Sequence, residues 1–171
     1  MNKIIFYNLF RFFLLVFIQV ALLKNISVYN LNMPLLYILF IFLLPFKTPN
    51  WLLFFLSFAL GLTVDVFSDT LGLNAAACTI MAFLRIFYIT ITVQSDSPDT
   101  QITPNLNTMG FRWFFFYCLV ITFLHHFFLF FFEVFDLTAL FNILVRATLS
   151  TIFTLFLIFA AEFLMSRKKI R

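Results

Sequence analysis

Gly61-Leu-Thr-Val-Asp65-Val-Phe-Ser68-Asp69-Thr-Leu-Gly72-Leu-Asn74-Ala-Ala-Ala-Cys78, running on to Arg85, gathers small and charged residues in a chain that is otherwise strongly apolar. Ser57, Gly61, Asp65, Ser68 and Gly72 follow one another at three- and four-residue steps. On a helix that spacing makes one narrow face along which a second backbone can come close. The Asp65 carboxylate sits in the middle of this face, in a protein with only seven acidic residues. An acid flanked by Phe, Leu and Val is costly at membrane depth, so it calls for a partner.

The surrounding composition fixes the solvent. Hydrophobic residues make up 64% of the chain, charged ones 11%, and 30 of the 171 residues are Phe. A water-soluble domain of this length could not hide so much apolar surface, whereas a bilayer accepts it. The apolar runs are too long and unbroken for the alternating strands of an outer-membrane barrel. The fold class expected is therefore an all-α, polytopic six-helix transmembrane bundle, one domain over 1–171, in a plasma or inner membrane. The net charge of +4 comes from scattered basic residues apart from Arg167-Lys168-Lys169-Ile170-Arg171, which reads as a membrane anchor and not as a nucleic-acid footprint. Cys78 and Cys118 fall near opposite ends of their helices, which argues against a disulfide. No cleavable signal peptide is evident, because Arg11 interrupts the first apolar run and no small-x-small site follows.

Six helices are expected at about 4–23, 34–46, 51–67, 71–93, 113–132 and 138–163. Arg11 lies roughly 10 Å into the first by helical rise, within snorkelling reach of the nearer surface. Pro34 suits a helix start, and Pro45 and Pro49 close a second segment that is short for a ~30 Å hydrocarbon core. Trp51 reads as an interface anchor. Ser68 to Thr70 is a tight turn, and Gln94 to Met109, rich in Pro, Asp, Ser, Thr and Asn, is a loop. With six spans and both termini in the cytoplasm, Lys3, Arg11, Lys47, Arg112 and the tail charges lie inside and only Lys24 lies outside, as the positive-inside rule prefers.

Counting away from the two outer turns estimates depth. Asp65 comes level with Asn74, within reach of a side-chain hydrogen bond. His125 comes level with Arg146, and His126 shares a face with Glu133 seven residues on. His125, His126, Glu133 and Arg146 thus form an expected outer-leaflet polar cluster, with an ion pair from Arg146 to Glu133 or Asp136. Arg85 is expected to snorkel inward or contact a neighbouring helix. The two histidines point about 100° apart, and Glu133 lies about 10 Å along the axis from His126, so no metal site is expected. No Walker loop, dinucleotide glycine pattern, His-Glu-x-x-His or Gly-x-Ser-x-Gly is present in the sequence. No catalytic residue and no cofactor is expected, and the abundant Phe reads as lipid-facing filler.

The segment Gly61-Leu-x-x-Asp65-x-Phe-Ser-Asp69-Thr-x-Gly72-x-Asn74-Ala-Ala-Ala, followed by Ala82-Phe-Leu-Arg85, resembles the signature of the bacterial rod shape-determining protein family MreD. Leu44-Pro45-Phe46-Lys47-Thr48, and His125-His126 with Glu133, are similar to features of one Gram-negative branch, with Asn74 standing where that branch carries His. The resemblance implies a non-enzymatic inner-membrane subunit of the cell-elongation machinery. It would work beside MreC and link the actin-like MreB filaments to the lipid II polymerase RodA and its transpeptidase. It also implies the six-helix fold shared with energy-coupling-factor transporter S-components. On this reading Gly61, Asp65, Ser68, Gly72, Asn74 and Arg85 serve helix packing or partner contact. The alternative is a substrate-binding subunit of a vitamin-type transporter, with an outward pocket lined by Asp65, His125, Glu133 and Arg146.

Overall fold

Among the described residues five helices are long and apolar enough to cross a bilayer, which makes this an all-α, multi-pass membrane protein. The computed structural model describes residues 2–23, 34–93 and 103–167, and no strand occurs among them. Helix α1 (Asn2–Ile18) continues into a π-helical turn, Gln19–Leu23. A short helix α2 follows, Leu36–Ile38 as a 3-10 turn and Leu39–Phe42 as α-helix. Then come α3 (Asn50–Ser68), α4 (Leu73–Thr92), the single turn α5 (Leu106–Met109), α6 (Phe111–Val134) and α7 (Leu140–Arg167), the last entered through a 3-10 turn at Leu137–Ala139. Met1, the connection 24–33, residues 94–102 and the tail beyond Arg167 lie outside the described residues.

The second apolar segment departs furthest from expectation. Instead of a helix over 34–46, only two turns form, about 10 Å of rise. They lie inside the bundle, with Tyr37, Ile38, Ile41 and Phe42 fully buried. The long helices surround them: α1 packs on α2 and α3, α3 on α4, α4 on α6, α6 on α7, and α7 back on the start of α2. An uninterrupted apolar run is as suited to the centre of a bundle as to lipid, and Pro45 stops its helix early.

The hairpin α3–α4 is the tightest element, and Gly61 permits it. A Cβ built on Gly61 would lie 2.4 Å from the Asn74 carbonyl oxygen and 2.5 Å from the Ala75 Cα, so the two backbones touch here. Ser57, Gly61 and Asp65 line the buried face, while Ser68 is only half-buried. Gly72 does not continue that face. Helix α3 ends at Asp69, whose φ is 56°, and Gly72 turns the chain at φ 83° before α4 begins.

Arg11, expected within snorkelling reach of the surface, turns inward instead, and Arg85 takes the second of its two expected roles, contact with a neighbouring helix segment. Arg11 is 8% and Arg85 2% exposed, and both reach the end of α2. The Phe residues divide between two roles: Phe40, Phe42, Phe114 and Phe130 are core, while Phe10, Phe13, Phe55, Phe141 and Phe156 face outward.

Gly61→Ala should lower stability by at least about 1–3 kcal/mol through backbone overlap. Gly72→Ala, with open space but a positive φ, should cost about 1 kcal/mol. Thermal unfolding of the detergent-purified protein would test this order, which equal midpoints for the two variants would contradict.

Candidate functional site

Helix α4 starts without a side-chain cap of its own, since its first flanking residue is Gly72. Asp65, from the preceding helix, supplies one. Its Oδ1 accepts from the Asn74 backbone N–H at 3.0 Å, from Asn74 Nδ2 at 2.9 Å and from the Thr70 hydroxyl, while Oδ2 accepts from the Ala75 N–H at 2.9 Å. Two of the amide donors that every helix leaves unsatisfied are thus met by an acid at the positive end of the helix dipole. The expected hydrogen bond between Asp65 and Asn74 is present. At 2% exposure Asp65 faces neither lipid nor a pocket.

From this cap a line of polar groups descends into the core. Asn74 Oδ1 accepts from the Tyr37 hydroxyl at 2.9 Å, Cys78 Sγ lies 3.9 Å from that hydroxyl, and His125 Nε2 lies 3.7 Å from Cys78 Sγ. The His125 and His126 rings stand edge to face at 5.7 Å, and His126 Nε2 is 3.0 Å from Thr154 Oγ1 on α7. Thr154 Oγ1 also accepts from the Leu35 N–H at 3.1 Å. The line therefore ends on the first residues of α2.

Both ends of α2 are held by side chains of other helices. At its start, the Gln19 amide donates to the Pro34 carbonyl at 3.0 Å and accepts from the Leu36 N–H at 2.9 Å. At its finish, four successive carbonyls are met. Tyr117 donates to Phe42 at 3.4 Å, Arg11 to Leu43 at 3.0 Å, and Arg85 to Leu44 at 2.6 Å and Pro45 at 3.3 Å. Guanidinium groups suit the negative end of a helix, where carbonyls converge.

The four residues expected to form one outer cluster fall into two places. His125 and His126 are fully buried at the α4–α6 and α6–α7 contacts respectively. Arg146 pairs with Glu133 at 3.2 Å and covers the Phe130 ring at 4.4 Å, nearer the turn between α6 and α7. His125 is therefore not level with Arg146; His126 meets Thr154 instead, because the 3-10 turn at Leu137–Ala139 shifts the register of α7. Asp136 binds its own turn, accepting from the Thr138 N–H at 2.8 Å and the Thr138 hydroxyl at 2.7 Å, which draws its carboxyl below the usual value of 3.8. Cys78 and Cys118 are free thiols. Among the described residues no three His, Cys, Asp or Glu side chains are grouped to hold a metal.

Sequence reading missed Gln19, Tyr37, Tyr117, Thr154 and the buried Glu162. Gln19 and Glu162 carried a usable signal, since each is an isolated strongly polar residue within a long apolar run. The others look ordinary until their neighbours are known.

Compared with known proteins, the chain matches no family model, no curated protein and no solved structure.

Asp65→Leu would strand four donors and should lower stability by about 3–5 kcal/mol, whereas Asp65→Asn, which keeps an acceptor oxygen, should lose less. Unfolding of both variants in detergent checks the order, and equal losses would contradict it. Asp136, with its folded pKa depressed, stabilises fully above about 3.8 and loses that contribution as pH falls through the lower folded value. The stability gap between the wild type and Asp136→Asn should accordingly close on acidification below pH 4.

Proposed function

We propose that this chain is a non-enzymatic integral membrane subunit of the bacterial cell-elongation complex, an MreD-like scaffold. In this role it holds MreC in the inner membrane, and through MreC brings MreB filaments together with RodA and its transpeptidase partner. One observation carries the reading: three buried charged groups within the spans are used on the protein's own backbone. Asp65 serves α4, and Arg11 and Arg85 serve the end of α2. What the long helices offer outward is apolar, as with Phe10, Phe13 and Phe17 on α1 and Phe141, Ile152 and Phe156 on α7. Faces of that kind suit other transmembrane helices, which associate by close packing. The resemblance of the α3–α4 segment to the MreD signature names the complex.

The same reading takes the stretch through α2 as the second of six passes. It leads the chain back from the level of Gln19 to the level of Arg11, antiparallel to α1. Both termini then lie in the cytoplasm, with Lys47 and Arg112 at that end, and the turns carrying Asp69, Glu133 and Asp136 face outward.

A second reading, the substrate-binding subunit of a vitamin-type transporter with the S-component fold, draws on α2 itself. Interrupted helices at mid-membrane are where many transporters bind their cargo. Retention of a small molecule through purification would favour it.

If the host is a rod, depletion of the protein should give rounded cells, and photo-crosslinkers at Phe141 and Phe156 should capture a single-span partner of MreC type. Rods that persist after depletion would overturn the scaffold reading. Reporter fusions at the two ends should both report cytoplasm; a split result would overturn the six-pass reading.

A further inference from the structure

Cys78 Sγ lies 3.7 Å from His125 Nε2, and the Tyr88 ring lies 5.4 Å from Tyr117, so the packed helices α4 and α6 run antiparallel. The α3–α4 turn therefore stands at the same end of the bundle as the α6–α7 turn, on helices whose axes lie about 8–10 Å apart. Both turns present bare hydrocarbon. Leu71 in the first is fully exposed, and in the second Phe135 is 77% and Leu137 75% exposed. Helix α6 has 24 residues, about 36 Å of rise against a hydrocarbon core of ~30 Å, so its ends reach headgroup level. Side chains that anchor a helix at that level are Trp and Tyr, whose polar atoms meet water; Leu71, Phe135 and Leu137 carry none. The turn before α3, at the other end, is polar, with Lys47 and Asn50 exposed.

Phe135 is held outward against its backbone preference. It closes α6 at φ 49°, a left-handed position that Gly or Asn usually takes, and its ring touches Phe131 at 5.8 Å. An aromatic residue is uncommon there, and backbone strain of this kind gathers at binding sites. The rim around these side chains is acidic. Asp69 and Asp136 are exposed, and Glu133 pairs with Arg146, the one basic side chain at this end among the described residues. Asp136 is tied to Thr138, whereas no hydrogen bond or ion pair holds the Asp69 carboxylate among the described residues.

We propose that these two turns form a docking surface for a basic extramembrane segment of a partner protein. The segment's apolar side chains lie on Leu71, Phe135 and Leu137, and its Lys or Arg residues meet Asp69 and Asp136. Apolar anchors inside a charged rim are the pattern of a protein interface. A bilayer surface matches poorly, because anionic headgroups repel the acids. The opposite end, with Lys47 and Arg112 exposed, repels the same segment, so charge alone selects one end of the bundle. The docking surface stands whether or not the protein belongs to the elongation complex.

The test places the full chain in nanodiscs of zwitterionic phosphatidylcholine and measures, by fluorescence anisotropy, binding of a short peptide of alternating Arg and Leu and of its counterpart with Glu in place of Arg. The basic peptide should bind more tightly than the acidic one, and its binding should weaken as salt screens the charges. Phe135→Asn, which removes the aromatic anchor, should weaken it at least about tenfold. Asp69→Asn, which removes one exposed charge, should weaken it about threefold. Each variant puts Asn in a left-handed position, which Asn tolerates, so both are expected to fold. Binding of the basic peptide to empty nanodiscs as strong as to loaded ones, equal binding of the two peptides, or binding unchanged in both variants would overturn the proposal.

Discussion

A backbone amide or carbonyl in a bilayer has no water to turn to, and α2 presents amides at its start and carbonyls at its finish inside the membrane bundle. Two helical turns satisfy few of their own groups, because the first amides and last carbonyls of any helix are unpaired. The structure meets this constraint from outside α2. Gln19 and Thr154 take the start, while Tyr117, Arg11 and Arg85 take the finish. Those five residues come from α1, α4, α6, α7 and the π-turn after α1, so satisfying α2 also fixes how the surrounding helices sit about it. Apolar packing supplies contact area, but it does not by itself choose one rotation of a helix over another in lipid. The polar bonds to α2 do.

The hairpin α3–α4 obeys the same rule by other means. Its turn is short enough that Asp65 can reach over and cap the following helix, and Gly61 lets that helix come into backbone contact. The two features depend on each other. A side chain at Gly61 would move Asn74 and Ala75 away from the carboxylate that holds their amides.

Sequence disclosed this hairpin well because its chemistry is local: a tight turn ties register to counting, and Asp65 and Asn74 are only nine residues apart. It disclosed much less where depth had to be inferred from the nearest chain end. Arg11 lies close enough to one surface to snorkel, yet its guanidinium finds the Leu43 carbonyl, 32 residues away, which no periodicity announces. The run from Leu35 to Leu44 reads equally as a thin span or as core, since both environments are apolar. The level of His125 was misplaced because a 3-10 turn delays the start of α7, and such a turn has no distinct hydrophobic signature.

The buried charges follow from these constraints. Arg11, Arg85, Asp65 and Glu162 are each at most 8% exposed, and their formal charges cancel. Three of them stand at a helix end of the complementary sign: the two arginines where α2 finishes and Asp65 where α4 starts. Ordinary intramembrane ion pairs place opposite charges together, as Arg146 and Glu133 do near the rim. In the core, charge is matched to backbone dipoles. A group bound to backbone is difficult to move without unseating a helix, so these residues act as fixed joints. Whatever the protein does in the membrane, it does with its core held and its outer faces available.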